Sequence, residues 1–165
     1  MKVVCNSSPL VNLSRISRLY ILEKLYTEIV IPQAVYQEVV ISGQGLPGAD
    51  EISRADWISV KKLKDRRQVQ ILSYDLDHGE SEAIALALQE NADLLIMDER
   101  IGRDMARHLG LIFTGTIGAL IEAKRKGVIK LVLPVLGELC NKAGFRVSED
   151  LFKHIATVSG EYSSK

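Results

Sequence analysis

The chain has 165 residues, of which 47% are hydrophobic and 25% charged, a composition that excludes a disordered or fibrous protein and suits one domain with one core. Its 21 basic and 21 acidic residues cancel, so no global field draws nucleic acid and any such contact needs a local patch. No apolar run approaches the ~20 residues that a membrane span needs.

Lys2 to Cys5 reads as a short strand ending at Asn6. Asn6, Ser7, Ser8 and Pro9 break the N-terminal stretch before a signal-peptide core can form, which points to a cytoplasmic chain. Cys5 and Cys140 lie far apart without a CxxC pattern and read as reduced thiols. Ser8 is placed to cap a helix with Pro9 at its first position, and Leu10, Leu13 and Ile16 give that helix an apolar face. A helical pattern follows through Leu19, Leu22 and Leu25, then a strand from Glu28 to Ile31. Pro32 opens a helix through Val40 whose spacing puts Glu38 in or beside the buried stripe. Residues 42–50 are loop by composition, 49–55 a short helix, and Trp57 to Val60 a strand or edge segment. Lys61 to Arg67, KKLKDRR, is basic and poorly periodic.

The central stretch is GESEAIALALQENADLLIMDER, Gly79 to Arg100. A helix opens with Glu80 and Glu82 and runs apolar through Leu88. Leu94 to Met97 then forms a short apolar run that stops at Asp98-Glu99, the pattern of a strand buried on both faces of a parallel sheet. A further helix carries Ile101, Met105 and Leu109 on one face, with Arg100, Arg103, Arg107 and His108 away from it. Leu111 to Phe113 is a strand, Ile117 to Lys126 a helix, and Leu131 to Lys142 a helical pattern interrupted by Pro134. Ser148 caps a last helix to Val158, which ends a single domain over 1–158, with 159–165 as a tail. Alternating strands and helices predict a three-layer α/β/α, Rossmann-like fold on a central parallel sheet. Chemistry in such sheets collects at the carboxyl edge of the strands, where right-handed crossovers place both Asn6 and Asp98.

Each acid also has a plain structural explanation. Glu82 gains from the helix dipole, Asp98 can cap the next helix, Asp104 can pair with Arg100, and Glu80 can form a capping box with Asp77. A phosphate-accepting receiver domain would also end a strand on an Asp such as Asp98. That fold needs an acidic pair after the first strand and a lysine after a late one, and Asn6-Ser7 and Thr114-Gly115-Thr116 supply neither.

In order along the chain, VVCNSSPL, IPQAVYQEV, GESEAIALAL, LLIMDER, GTIGALIEAKRKGVI and the closing GFRVSEDLF resemble the PIN-domain superfamily, most nearly small prokaryotic PIN-like proteins related to VapC-type toxins. The resemblance runs from Lys2 to Val158. It implies a metal-dependent endoribonuclease, active on single-stranded or structured RNA, with Mg²⁺ or Mn²⁺ held by acids at the sheet edge. Glu38, Glu82 and Asp98 fall on the family's catalytic acids. Asn6, with Glu99 beside Asp98, completes the implied metal ligands, and Asn6 is neutral where active nucleases usually carry Asp. Ser8, Arg100, Arg103 and Arg107 are the implied RNA contacts. An antitoxin partner and a homodimer follow from the same resemblance, with a non-catalytic nucleic-acid or protein-binding module as the alternative. Hard cations prefer oxygen ligands, so Asn6, Glu38, Glu82 and Asp98 are expected to converge in one shallow acidic pocket.

Overall fold

A computed structural model describes residues 1–162. Five strands, β1 (Val3–Cys5), β2 (Ile29–Pro32), β3 (Ile58–Lys61), β4 (Leu94–Ile96) and β5 (Phe113–Thr114), pair in parallel in the order β3-β2-β1-β4-β5. The strand order reverses direction between β1 and β4, and this switch point is where a doubly wound sheet opens a crevice at its carboxyl edge.

Side chains alternate across the sheet because the strand period is two. Val3 and Cys5 enter one core with Leu10 and Leu13 of α1 (Ser7–Arg15), Leu22 of α2 (Tyr20–Tyr26), Leu120 of α8 (Thr116–Arg125) and Leu136 of α9 (Leu133–Lys142). Val4, Leu95 and Met97 enter the other with Leu72 of α5 (Arg66–Leu72), Ile84 and Leu86 of α6 (His78–Gln89) and Ala106 of α7 (Arg100–His108). This is the three-layer arrangement that the alternation predicts. Each fully buried aliphatic side chain contributes roughly 1.5–3 kcal/mol over its exposed state, so strands of only two to four residues are held by what covers them. None of the helices among the described residues is long and apolar enough to cross a membrane.

The switch point brings three chain segments level. Asn6 N–H donates to the Ile96 carbonyl at 2.9 Å, and Met97 N–H donates to the Thr114 carbonyl at 2.8 Å. Asn6, Asp98 and Gly115 therefore leave the sheet side by side.

Local structure departs from the sequence reading at several points. The first helix starts at Ser7, with Asn6 at the cap position and extended (φ −83°, ψ 173°), so Pro9 is its third residue. A missing N–H costs nothing there, because the first turn has no internal acceptor. The basic stretch before residue 68 leads into α5, which Asp65 caps by accepting from Arg67 N–H at 2.9 Å. Only seven residues long and with Ile71 75% exposed, it shows little periodicity. Pro134 is the second residue of α9, in its first turn, rather than interrupting a longer helix, as its fixed φ allows. Asp104 pairs with Arg107 at 2.9 Å instead of Arg100.

Helix α3 (Gln33–Tyr36) runs on into a π-helical turn, Gln37–Ile41, closed by Ser42 N–H on the Gln37 carbonyl at 2.8 Å. Val35 and Val39 fill the apolar stripe, and Glu38 stands exposed beside it.

Helix α10 (Glu149–Val158) is capped by the Ser148 hydroxyl, which accepts from Leu151 N–H at 3.1 Å. Beyond it the chain is anchored. Glu161 accepts from Val132 N–H at 2.7 Å, Leu133 N–H at 2.9 Å and Lys124 Nζ at 3.0 Å. Residues 163–165 of the expected tail lie outside the described residues. Burial raises the Glu161 carboxyl, but the Val132 and Leu133 amides and Lys124 outweigh it and hold the group below the usual range. A depressed folded-state pKa adds stability above the unfolded pKa and loses it as pH falls through the folded one. Glu161→Ala is expected to cost about 1–3 kcal/mol at neutral pH, since it orphans two amides. The difference from the native chain in urea denaturation should shrink as pH falls below about 4. An equal cost at all pH values would rule out the carboxylate as the clasp.

Candidate active site

The site begins at Asn6, whose side chain is nearly sealed from water at 2% exposure. Its Nδ2 donates to Glu99 Oε2 at 3.1 Å, and the Ser8 hydroxyl donates to the other Glu99 oxygen. The turn after β1 thus holds the acid that follows β4. Asn6 Oδ1 is buried and accepts no hydrogen bond. An orphaned buried acceptor costs about 1–3 kcal/mol, so a donor or cation there would be favourable.

Glu38 reaches the same spot from the π-helical turn. Gly79, the second residue of α6, lies between them. A Cβ at Gly79 would stand 3.2 Å from Glu38 Oε2 and 3.6 Å from Asn6 Oδ1. A side chain at position 79 would press on Glu38 Oε2 and touch Asn6 Oδ1, so glycine leaves the space between them open. Asp77 and Glu80 form the capping box that the sequence suggests, with Glu80 N–H on Asp77 Oδ1 at 2.8 Å and Asp77 N–H on Glu80 Oε2 at 3.1 Å. Burial lifts the Glu80 carboxyl against the Asp77 amide, and repulsion from Asp77, Glu99 and Glu38 lifts it further. Glu80 thus senses the acids of the cradle, and its place as a cap is what concealed it in the sequence.

Glu82 is on the wall of the same cleft, a space of about 930 Å³ that Glu38, Arg66 and His78 also line. Its carboxylate is 5% exposed and engaged at both oxygens: Ala34 N–H at 3.0 Å, Arg66 at 2.6 Å and His78 Nε2 at 3.3 Å. Nothing in the sequence pairs Arg66 with Glu82, because the helix that carries Arg66 is itself barely visible there.

Asp98 faces a second, smaller groove of about 410 Å³, with Arg103, Phe113 and Arg146. It caps α8, not α7: Oδ1 accepts from Thr116 N–H at 2.7 Å and Oδ2 from the Thr116 hydroxyl at 2.6 Å. Burial raises its carboxyl, against these two bonds; Glu99 adds repulsion and Arg103 opposes it. A Cβ at Gly115 would sit 2.7 Å from Asp98 Oδ1, so glycine is required for this approach. The structure thus gathers Asn6, Glu38 and Glu99, holds Glu82 beside them with Arg66, and holds Asp98 on Thr116, where the sequence suggested one common pocket.

Of the arginines, Arg100 is exposed on the first turn of α7. Arg103 and Arg107 each place a guanidinium 5.1 Å from the Phe113 ring centroid, within cation–π range.

Mg²⁺ and Mn²⁺ take oxygen ligands and keep several waters. Asn6 Oδ1 and Glu38 Oε2, one orphaned and one exposed, facing across a bare glycine, fit one such ion. Among the described residues, no group of three His, Cys, Asp or Glu is arranged to hold a metal ion, and Arg66 and Thr116 engage Glu82 and Asp98. Gly79→Ala is expected to weaken Mn²⁺ binding, because its methyl would press on Glu38 Oε2 and touch Asn6 Oδ1, with a stability change under ~1 kcal/mol. Calorimetric Mn²⁺ titration beside a urea melt checks it; unchanged Mn²⁺ affinity would place the ion elsewhere.

Fold and site define a doubly wound α/β domain with an acidic carboxyl edge, an architecture suited to nucleases. A family model described as a PIN domain matches residues 2–161. The chain belongs to the PIN-domain family. No curated protein matches it.

Proposed function

We propose that this PIN domain is an endoribonuclease dependent on Mg²⁺ or Mn²⁺, and that it belongs with the VapC-type toxins as a cytoplasmic homodimer with a cognate antitoxin. The observation that carries the catalytic reading is the buried, unpartnered Asn6 Oδ1 facing Glu38 across Gly79. A bound divalent ion supplies an acidified water and neutralises charge on the phosphate.

Asn6 and Glu38 would hold that ion first. Glu82 and Asp98 are its reserve ligands, each now satisfied by a protein donor. Glu99, fixed by Asn6 and Ser8, keeps the edge negative beside Asp98. Arg100, Arg103 and Arg107 offset that charge and take RNA phosphates, whose binding is dominated by such contacts. Ser8 orients Glu99 and, once released, can donate to a phosphate oxygen.

One observation favours a second reading, a binding module without catalysis. Asn6 is neutral and Glu82 is already paired with Arg66, so the edge offers a divalent ion less charge than three free acids. Incubation of a labelled single-stranded RNA with the native chain over a Mn²⁺ series separates the two. Cleavage that rises with Mn²⁺ and stops with chelator supports the nuclease; RNA retained intact at every Mn²⁺ concentration supports the binding module.

A further inference from the structure

We propose that the groove beside Asp98 seats a nucleotide of the RNA strand, with the base against Phe145 and the phosphate between Arg103 and Arg146. The proposal rests on the nucleic-acid reading above and names a subsite within it. The groove holds about 410 Å³, within the roughly 300–1,000 Å³ of small-ligand sites. Asp98 is the one carboxylate among its lining residues, against two arginines. Among the described residues, neither Arg103 nor Arg146 forms an ion pair within 4.0 Å. Arg103 lies over Phe113 at 5.1 Å, a cation–π contact that helps hold the guanidinium there without neutralising its charge.

Phe145 belongs to a short turn after α9. Gly144 takes φ +67°, and Phe145 N–H donates to the Leu139 carbonyl at 3.1 Å. The ring is half-buried: it packs partly on the core and also lines the groove. Gly115 and Gly118 also line the groove, and a Cβ at Gly118 would collide with the Thr114 hydroxyl. A half-buried aromatic ring and two guanidiniums without an ion pair suit a flat base with an attached phosphate. Aromatic stacking tolerates any base, while arginine takes the backbone. The groove also opens on Asp98, so a strand with one phosphate at the acidic edge continues into it.

The probe is a fluorescein-labelled single-stranded RNA dodecamer in EDTA, read by anisotropy, with a second dodecamer carrying abasic sites. Arg146→Ala is expected to weaken binding about 5–10-fold and to lower the salt slope by ~0.7, the loss of one phosphate contact. Phe145→Leu keeps an apolar side chain in the core and should weaken binding about fivefold or more, but not for the abasic strand. Thermal melts confirm that both variants fold; Arg146 is exposed, so its variant carries the test if Phe145→Leu unfolds. Native affinity in Arg146→Ala overturns the proposal, as does an equal Phe145→Leu effect on the abasic strand or no RNA binding by the native chain. Binding losses without any Mn²⁺-dependent cleavage would leave this subsite standing and remove the catalytic reading. Cleavage by the native chain with undisturbed binding in both variants would do the reverse.

Discussion

Asp98→Asn is expected to abolish Mn²⁺-dependent RNA cleavage and leave the fold intact. The amide keeps both contacts at Thr116, since its oxygen accepts from Thr116 N–H and its nitrogen can donate to the hydroxyl, in place of the present 2.7 and 2.6 Å bonds. What it loses is charge. Loss of a group that orients a metal ligand costs 10–100-fold, and loss of a ligand's charge at an edge already lacking one should cost on the order of 100-fold or more. Asn6→Asp is the counterpart. It makes the orphaned oxygen part of a carboxylate but removes the amide that donates to Glu99. The metal-free protein should melt lower through acid–acid repulsion, while the Mn²⁺ concentration needed for cleavage falls. The measurement is cleavage of labelled RNA against Mn²⁺ for all three proteins. A native rate in Asp98→Asn would assign the activity to another site.

Arg66→Ala is expected to tighten Mn²⁺ binding roughly tenfold, equivalent to about 1.4 kcal/mol. Glu82 is 5% exposed and Arg66 52%, so the arginine compensates a buried charge from a solvent-facing position. A metal that recruits Glu82 must displace that partner. Removing Arg66 leaves Glu82 with Ala34 N–H and His78 alone, which destabilises the metal-free protein and improves the acid as a ligand. The readouts are free Mn²⁺ by electron paramagnetic resonance and the melting temperature without metal. Unchanged Mn²⁺ affinity would mean that Glu82 is no ligand and that the pair with Arg66 is structural.

Strands β1 and β4 and helix α6 were legible because burial wrote their patterns. A short apolar run ending at Asp98 and the Asp77–Glu80 capping box are local signals, and tertiary contacts agree with them. Helix α5 was missed because it is short and its apolar Ile71 points to water. The residues of the edge were visible as types at strand ends and helix starts. Their partners were not, since Arg66 to Glu82 and Thr116 to Asp98 join different elements. A sequence names the acids; which of them is already occupied by a cation or a hydroxyl is decided only by packing. Phe145 and Arg146 stand in the closing GFRVSEDLF stretch, whose resemblance says nothing of a groove; their role comes from their place beside β5.

The position of β1 at the centre of the sheet also governs when the site can exist. Cys5 is near the start of the chain, yet its edge partner is Ile96, and Asp98 needs Thr116 beyond that. During synthesis β1 can pair with β2 early, but Asn6 has no opposite side until β4 emerges and docks. Long-range parallel pairing of this kind is slow relative to local contacts, and domains complete as units as the chain leaves the ribosome. The nascent chain therefore carries its acids on separate, unjoined segments until translation has passed residue 116. Before that point the carboxyl edge that Asn6 and Asp98 share does not exist.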